Sequence, residues 1–274
     1  MPVITVTRGS LSATSKLAQK LSQELHCQEI SREEIIEHAR QYGIDEFLTA
    51  ARSIMETKPP YSWDPHAAHI QYYLLIFKAA LMDFVISGDV VYHGHQGHFL
   101  LTEVPRVLKV RVDAPLEHRV KFLMEESGCT DAEARERIDH IDEQRIMWAR
   151  FLYGVDYNLC TNYDMVLNRA NLNLDAMVGM IANVVRRPEF RLDAGALKVI
   201  RDAHLKALIM AYLVRSPRTR ELEFSVECDS DSGCVVVAGS PGPEGTDVGR
   251  EDIEDALAAL DKMSNLEIRL PRQD

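Results

Sequence analysis

In the first half of the chain, short runs of β-branched residues alternate with longer stretches whose apolar residues recur at helical spacing. The run Val3–Thr7 (VITVT) predicts a buried strand, and the helix predicted over Ala13–Leu25 carries one apolar face. Strands that alternate with helices in this way are typical of a parallel sheet wrapped by helices.

The same reasoning predicts four further strands and the helices between them. The strands are Gln28–Ile30, Asp89–Tyr92, Val107–Val112 and Asp164–Leu167. The helices open at Ser31, where Glu34 completes a capping box, and cover Ala67–Ser87, Pro115–Ser127, Thr130–Arg150 and Leu174–Val185. The many charges of the helix over 130–150 predict that it projects into solvent. Five strands with interleaved helices predict a doubly wound α/β domain with a five-stranded parallel sheet, over residues 1–187.

A different pattern begins after Arg186-Arg187-Pro188. It predicts, in order, a helix, a β-hairpin, a second helix and a last strand: Ala194–Val214, Glu221–Cys228 with Gly233–Gly239, Glu251–Leu260 and Leu266–Leu270. The order αββαβ predicts a small α+β domain over residues 193–271.

Composition narrows the functional classes. The 274 residues correspond to about two domains, and the apolar fraction of 46% excludes a wholly disordered chain. The net charge of −11 argues against a partner that is polymeric nucleic acid or an anionic membrane surface, because both would be repelled. A local basic pocket for a small phosphate ligand remains compatible with this charge.

Membrane insertion and secretion are not predicted. The longest apolar stretch, Ala207–Val214, has eight residues, against the ~20 that a spanning helix needs. The start MPVITVTRGS has no charged segment followed by an apolar one, so it does not resemble a signal peptide. Five cysteines without a CxxC pair favour free thiols, and hence a cytoplasmic location.

The loop after the first predicted strand is the first candidate for chemistry. In open α/β sheets, phosphate groups bind at the N-terminus of the helix that follows strand one. The loop runs Thr7-Arg8-Gly9-Ser10-Leu11-Ser12-Ala13-Thr14-Ser15-Lys16. Compared with the P-loop pattern G-x-x-x-x-G-K-[ST], it has Thr14 for the second glycine and Ser15 for the lysine, and Lys16 comes one position late.

Several further stretches, in this order and spacing, resemble the cytidylate kinase-like family of P-loop nucleoside monophosphate kinases. They are VITVTRGSLS at Val3, ISREEII at Ile30, VVYHGHQGH at Val90, VLKVRVDAPLEHRV at Val107, DEQRIMWARFLYGVD at Asp142 and NYDMVLN at Asn162. The resemblance covers residues 3–187. It implies a P-loop sheet with a helical lid, ATP and Mg²⁺ as cofactors, and a nucleoside monophosphate as acceptor, with cytidylate as the first expectation.

The resemblance also implies roles for single residues. The loop that binds the ATP phosphates would consist of Gly9, Ser10, Ser12, Thr14, Ser15 and Lys16. The acceptor monophosphate would lie near Arg32, Gly94 and His95. Catalytic roles would fall to Lys16, Arg119, Asp142 and Arg145, where Asp142-x-x-Arg145 matches the lid motif whose arginine reaches the transferring phosphate.

Departures from the family pattern leave two alternatives open. Ser15 in place of lysine removes a fixed cation, and the loss of one such group typically costs ~10²–10³ in rate. Thr14 adds a Cβ where the backbone approaches phosphate, and His95 replaces an arginine that could bind phosphate with two hydrogen bonds. Either the chain is a slow kinase, or it is a nucleotide-binding sensor without turnover.

Two polar clusters have competing interpretations. His93, His95 and His98, separated by glycines, could bind a transition metal, but without a recognised ligand spacing we expect them to line a pocket, and no metal site is predicted. Asp139 and Asp142 could act as paired carboxylates, but a solvated helix face with one lid aspartate is the simpler interpretation.

The C-terminal module loosely resembles a BON domain in its αββαβ order and its apolar strand GCVVVAG. The resemblance covers about Lys198–Pro271. No nucleophile with suitably spaced partners occurs in it, so we expect an interaction module, through which the chain forms a homo-oligomer or binds a protein partner.

Overall fold

The computed structural model describes residues 3–8, 14–42, 67–94, 96–220, 222–239, 249–260 and 265–270. The chain divides into two compact units. The first consists of Met1–Glu34, Ser53–Pro59 and Ser87–Leu192, and the second of Ile35–Arg52, Pro60–Ile86 and Asp193–Asp274.

The helices and strands follow the predicted order closely. In chain order they are β1 (Val3–Arg8), α1 (Thr14–Leu25), β2 (Gln28–Ser31), α2 (Arg32–His38), α3 (Ala67–Ser87), β3 (Val90–Gly94), α4 (Gly97–Leu100), β4 (Val107–Asp113), α5 (Leu116–Ser127), α6 (Asp131–Tyr153), β5 (Met165–Asn168), α7 (Leu174–Val185), α8 (Ala194–Arg215), β6 (Phe224–Asp229), β7 (Cys234–Gly239), α9 (Arg250–Leu257) and β8 (Asn265–Arg269). Short 3-10 turns occupy Ala39–Tyr42, Cys160–Asn162 and Pro188–Phe190.

The first unit contains the five-stranded sheet, in the order β2-β3-β1-β4-β5, with every pairing parallel. This confirms the predicted α/β class. Because the strands are parallel, their carboxyl ends meet at one edge. The chain crosses β1 when it passes from β3 to β4, and ligands of open α/β sheets bind at the carboxyl edge beside such a crossing.

One face of this sheet is apolar and packs against α1 and α7. Its core consists of Ile4, Val6, Val91, Leu108, Val110 and Val112 from the strands, with Leu17, Leu21, Met177 and Ile181 from the two helices. Ion pairs between Lys20 and Asp175 and between Arg186 and Glu24 join the same two helices at their exposed sides.

The opposite face of the sheet is polar where it approaches the carboxyl edge. Thr5 pairs with Tyr92 and with Lys109, and Thr7 pairs with Gly94 and with Arg111, so these side chains share one face. Thr5, Thr7 and Tyr92 are buried. Polar side chains in an interior require hydrogen-bond partners, so this face is where specific interactions are expected.

Helices α5 and α6 form the predicted helical lid. A capping box begins α6: the Thr130 N–H donates to Glu133 over 2.8 Å, and the Glu133 N–H donates to Thr130 Oγ1 over 3.4 Å. The prediction that this helix projects into solvent is wrong for one of its sides. Ala134 and Ile138 pack on α5, Trp148 is 1% exposed, and even the charged Arg145 is 6% exposed. The helix predicted to start at Pro115 begins one residue later, with Pro115 as its N-cap.

The second unit contains the antiparallel pair β6-β7 and the parallel pair β7-β8, with α8 and α9. These elements confirm the predicted αββαβ order. Their core is built from Leu205, Ile209 and Leu213 of α8, Val226, Val235 and Val237 of the sheet, and Ile253 and Leu257 of α9. No helix among the described residues is long and apolar enough to cross a membrane.

A half-buried carboxylate with several partners also belongs to the second unit. Asp83 on α3 accepts from Tyr42 Oη over 2.6 Å and Gln41 Nε2 over 2.8 Å, and it pairs with His38 Nε2 at 3.0 Å and His204 Nε2 at 2.7 Å. Burial acts to raise the pKa of Asp83, but the hydrogen bonds from His204, Tyr42 and His38 outweigh burial and lower it. The carboxylate therefore ties three segments that are distant in sequence.

Candidate active site

The donor-phosphate loop predicted from the sequence lies between β1 and α1. Gly9, Ser10 and Ser12 fall outside the described residues, whereas Thr14 is the first residue of α1. Ser15 and Lys16 are exposed in the first turn of this helix. The first amides of an α-helix have no partner within the helix, and together with the helix dipole they favour anions. The start of α1, which follows the carboxyl end of the central strand, is therefore suited to phosphate.

The predicted acceptor residues follow the neighbouring strands. Arg32 opens α2 directly after β2, and Gly94 ends β3, whereas His95 lies outside the described residues. Nε and Nη2 of Arg32 are buried and have no hydrogen-bond partner in the described part of the chain. The capping box is formed, since Glu34 accepts from the Ser31 N–H over 2.7 Å. Arg32 thus begins a well-defined helix and keeps unused donors at the carboxyl edge.

Three of the four predicted catalytic residues lie on the lid. Arg119 Nη1 on α5 donates to Asp142 Oδ2 on α6 over 2.6 Å; the Arg119 side chain is 14% exposed and that of Asp142 is 33% exposed. Arg145, one helical turn after Asp142, is 6% exposed. Burial raises the pKa of the Tyr157 phenol. The nearby positive charge of Arg145 acts to lower this pKa, and the negative charge of Asp142 acts to raise it. The fourth residue, Lys16, belongs to α1.

A cleft of about 250 Å³ opens beside Arg119. Positive charge in its lining comes from Arg119, Lys121 and Arg169. The complete lining is Ala114, His118, Arg119, Lys121, Phe122, Glu125 and Arg169. Arg169 stacks over the Phe122 ring at 5.1 Å. A cationic and aromatic lining suits a planar ring with attached anionic groups.

The sequence reasoning missed Arg111, which organises the loop after α6. Its guanidinium donates to the Tyr157 carbonyl, to Asp113 and to Asn158 over 3.0–3.1 Å, and it lies over the Tyr157 and Tyr163 rings. The signal was the alternation in VLKVRVD, which places Lys109, Arg111 and Asp113 on one face of β4.

Two histidines at and just after the end of β3 make contacts within the fold. His93 pairs with Glu29 at 3.0 Å, and the Nδ1 atom of His98 lies 3.0 Å from Thr7 Oγ1. The described residues contain no group of three or more potential metal ligands. Asp139, considered with Asp142 as a paired carboxylate, is exposed on α6. Asp164, also part of the resemblance, accepts from the Lys109 N–H over 2.8 Å at the amino end of β5, away from the candidate site.

Comparison with known proteins agrees with this architecture. A family model described as the cytidylate kinase-like family matches residues 3–171. The chain belongs to the cytidylate kinase-like family. A protein described as cytidylate kinase from Ignicoccus hospitalis is 26% identical over 188 residues, which cover 68% of this chain and 99% of that protein.

Two further matches are more limited. A uronate isomerase from Corynebacterium glutamicum is 29% identical over 107 residues, which cover 39% of this chain but 20% of that enzyme. The solved structure of an uncharacterized protein from Eubacterium ventriosum aligns with a TM-score of 0.50 at 16% identity, and covers 67% of this chain and 97% of that one. This structural similarity shows the fold alone.

Proposed function

We propose that the chain is a nucleoside monophosphate kinase, which transfers the γ-phosphoryl group of Mg²⁺-bound ATP to a nucleoside monophosphate. Cytidylate is the proposed acceptor, because the family and the Ignicoccus hospitalis relative carry that name. The strand order supports separate acceptor and donor sites along the carboxyl edge. β2 and β3 end on the acceptor side, β1 leads into the phosphate loop, and β4 and β5 end beside the donor cleft.

The observation that carries the proposal is the pair of unused donors on Arg32. A buried N–H group without a partner costs about 1–3 kcal/mol, so a guanidinium that keeps two of them is ready to bind an anion. A phosphate group accepts such donors in a planar, two-bonded geometry. Arg32 therefore fits the acceptor monophosphate, with Gly94 and His95 at the end of the adjacent strand.

The donor side fits ATP through different groups. The α1 N-terminus and Lys16 would bind the β- and γ-phosphates, with Gly9, Ser10, Ser12, Thr14 and Ser15 completing the loop, and the cleft beside Arg119 would take the rest of the nucleotide. Mg²⁺ prefers phosphate oxygens, waters and one or two protein oxygens, so it needs no cluster of protein ligands. When bound, it would neutralise charge on the transferring phosphoryl group.

The lid residues would stabilise the transfer. Asp142 fixes the guanidinium of Arg119 toward α6, and Arg145 would contact the transferring phosphoryl group. Because Arg145 is buried, the phosphoryl group must enter the interior beside Tyr157 to reach it. A reaction in the interior excludes water, which would otherwise accept the phosphoryl group.

Ser15 favours a second candidate, a nucleotide sensor without turnover. Lys16 is one helical position later than the P-loop lysine and so points about 100° away from that direction. In this alternative the BON-like module over residues 193–271 would pass the nucleotide state to a protein partner or a second copy of the chain, and residues 1–187 would form the nucleotide domain. In both cases we expect a cytoplasmic protein, since ATP is abundant there and all five cysteines are free.

Turnover assays separate the two candidates. ADP formation is measured with Mg²⁺, ATP and, in turn, CMP, dCMP, UMP and AMP. We expect turnover with CMP, and Arg145→Ala should lower kcat by about 10²–10³ while leaving a measurable residual rate. No turnover with any acceptor, alongside calorimetric binding of ATP, would contradict the kinase proposal and support the sensor, as would the appearance of activity only in Ser15→Lys.

A matched pair of variants tests the role of Arg32. Arg32→Gln removes charge-assisted hydrogen bonds worth about 1.5–3 kcal/mol, so KM for the acceptor should rise about 10–100-fold with ATP affinity unchanged. Arg40→Gln is the control, because Arg40 is exposed in the 3-10 turn after α2, where it pairs with Glu37 three residues earlier. An equal effect of both variants would contradict the assignment.

A further inference from the structure

The segment after β3 encloses a buried aromatic ring. Tyr92 is 1% exposed, and Gly94 and Gly97 lie against its ring. A Cβ at Gly94 would lie 2.3 Å from Tyr92 Oη, and one at Gly97 would lie 2.1 Å from Tyr92 Cε1. Such separations are far inside van der Waals contact, so neither position accepts a side chain. Gly94 and Gly97 therefore each hold the backbone directly against the Tyr92 ring.

His98, after the second of these glycines, contacts the central strand β1. The Nδ1 atom of His98 lies 3.0 Å from Oγ1 of Thr7, the penultimate residue of β1 before the phosphate loop. His98 is 2% exposed, and its ring contacts those of Phe99 and Tyr163 in tilted geometry, with centroids 3.9 Å and 4.8 Å apart. These neighbours prevent the imidazole from rotating. Its contact with Thr7 in turn fixes the position of the Thr7 hydroxyl.

Gln96, between the two glycines, contacts the lid. Gln96 Nε2 donates to the backbone carbonyl of Arg145 over 3.0 Å, and Gln96 is 2% exposed. Its backbone is left-handed, with φ 55°, a conformation that costs a residue other than glycine about 1–3 kcal/mol. Gln96 keeps this unfavourable backbone conformation while its side chain donates to the Arg145 carbonyl. We infer that the hydrogen bond offsets the backbone strain.

We propose that Gln96 and His98 are positioning residues, which fix the lid arginine Arg145 relative to the carboxyl end of β1. The inference rests on the proposed kinase function and extends it. Neither side chain is placed against substrate. Gln96 acts through the Arg145 backbone and His98 acts through Thr7, so the segment 96–98 sets the separation between the two halves of the reaction centre.

The consequence for catalysis is large because the reaction rate depends steeply on the positions of the reacting groups. A displacement of about 1 Å in a reacting constellation can cost about 10²-fold in rate. Removal of one of these hydrogen bonds leaves the fold's packing in place and loosens a single contact, so we expect kcat to fall about tenfold while KM stays within about twofold. A change confined to kcat is the signature of geometry that matters in the transition state.

Two matched sets of variants test the proposal by kinetics. Thr7→Val keeps the shape of the side chain and removes the hydroxyl, whereas Thr7→Ser keeps the hydroxyl, so the first should lose kcat about tenfold and the second should stay near wild type. Gln96→Met should lower kcat about tenfold in the wild-type chain and less than twofold in Arg145→Ala, where no guanidinium remains to be positioned. Equal losses in both backgrounds would overturn the proposal, because a purely structural defect acts on both.

Hydrogen exchange of the nucleotide-free protein tests the same contact without any turnover. Gln96→Met should raise exchange about tenfold at the α6 amides of residues 145–149 and leave those of α5 unchanged. Unchanged exchange in α6 would overturn the positioning role even if the chain proves to be a kinase. Increased exchange in a chain without turnover would leave the contact established and the proposed function refuted.

Discussion

The buried histidine at the end of the enclosed segment makes the first unit sensitive to acid. Burial is the main cause that lowers the pKa of His98 from 6.5 to about 3, and the positive charges of Lys109 and Arg111 add to it. The folded protein therefore holds this ring neutral at every pH at which enzymes are usually assayed. In the unfolded chain the same ring is in water and becomes protonated below about pH 6.5.

The size of the effect follows from proton linkage. Because the unfolded state binds the proton more tightly, the stability that the neutral ring contributes is complete above the unfolded pKa and is lost as pH falls toward the folded pKa. Each pH unit in that window is worth about 1.4 kcal/mol. From pH 7 to pH 5, the free energy of unfolding should therefore fall by about 2 kcal/mol on account of His98 alone.

His98→Phe isolates this contribution from all other titrating groups. The variant keeps a ring between Phe99 and Tyr163 but cannot bind a proton, so wild type should lose about 2 kcal/mol more than the variant between the two pH values. The measurement is guanidinium unfolding followed by Trp148 fluorescence, in a Trp63→Phe background because the chain has two tryptophans. Equal losses in wild type and variant would refute the reasoning.

Four further substitutions have defined outcomes in unfolding experiments. Gly97→Ala should destabilise the first unit by about 2 kcal/mol, since the new Cβ meets the Tyr92 ring, whereas Gly179→Ala on α7, with nothing within 4 Å, should stabilise it by up to about 1 kcal/mol; denaturant titration of the pair checks both. Asp83→Asn should cost the second unit about 3 kcal/mol, read by its thermal midpoint, because an amide cannot accept from all the donors that converge there. Thr130→Ala should cost about 1 kcal/mol by removal of the α6 cap, measured by the same titration, and unchanged stability would argue against the capping box.

Much of the fold was predictable because its signals are local. The bounds of α3 and α7 agree with the predicted Ala67–Ser87 and Leu174–Val185, and the capping boxes at Ser31 and Thr130 are formed as expected. Each of these features depends on residues a few positions apart, through helical spacing or a single side-chain hydrogen bond. Such patterns survive in the sequence whatever the tertiary structure.

The polar face under the candidate site was not predictable, for an equally physical reason. Thr7 and His98 are 91 residues apart, and Gln96 and Arg145 are 49 apart, so their contacts depend on strand register and on the path of a short segment. That path is set by the room beside one tyrosine ring, which no periodicity reveals. The glycines of the segment were visible, but their partner was not.

The carboxylate at position 83 has a consequence for synthesis of the chain. Its partner His204 is 121 residues further on, and ribosomes add about 5–20 residues per second, so α3 leaves the ribosome roughly 6–24 s before its partner exists. During that interval Asp83 can contact His38, Gln41 and Tyr42, which precede it in the chain, but not the histidine of α8. We therefore expect this cluster of the second unit to form completely after residue 204 has left the ribosome.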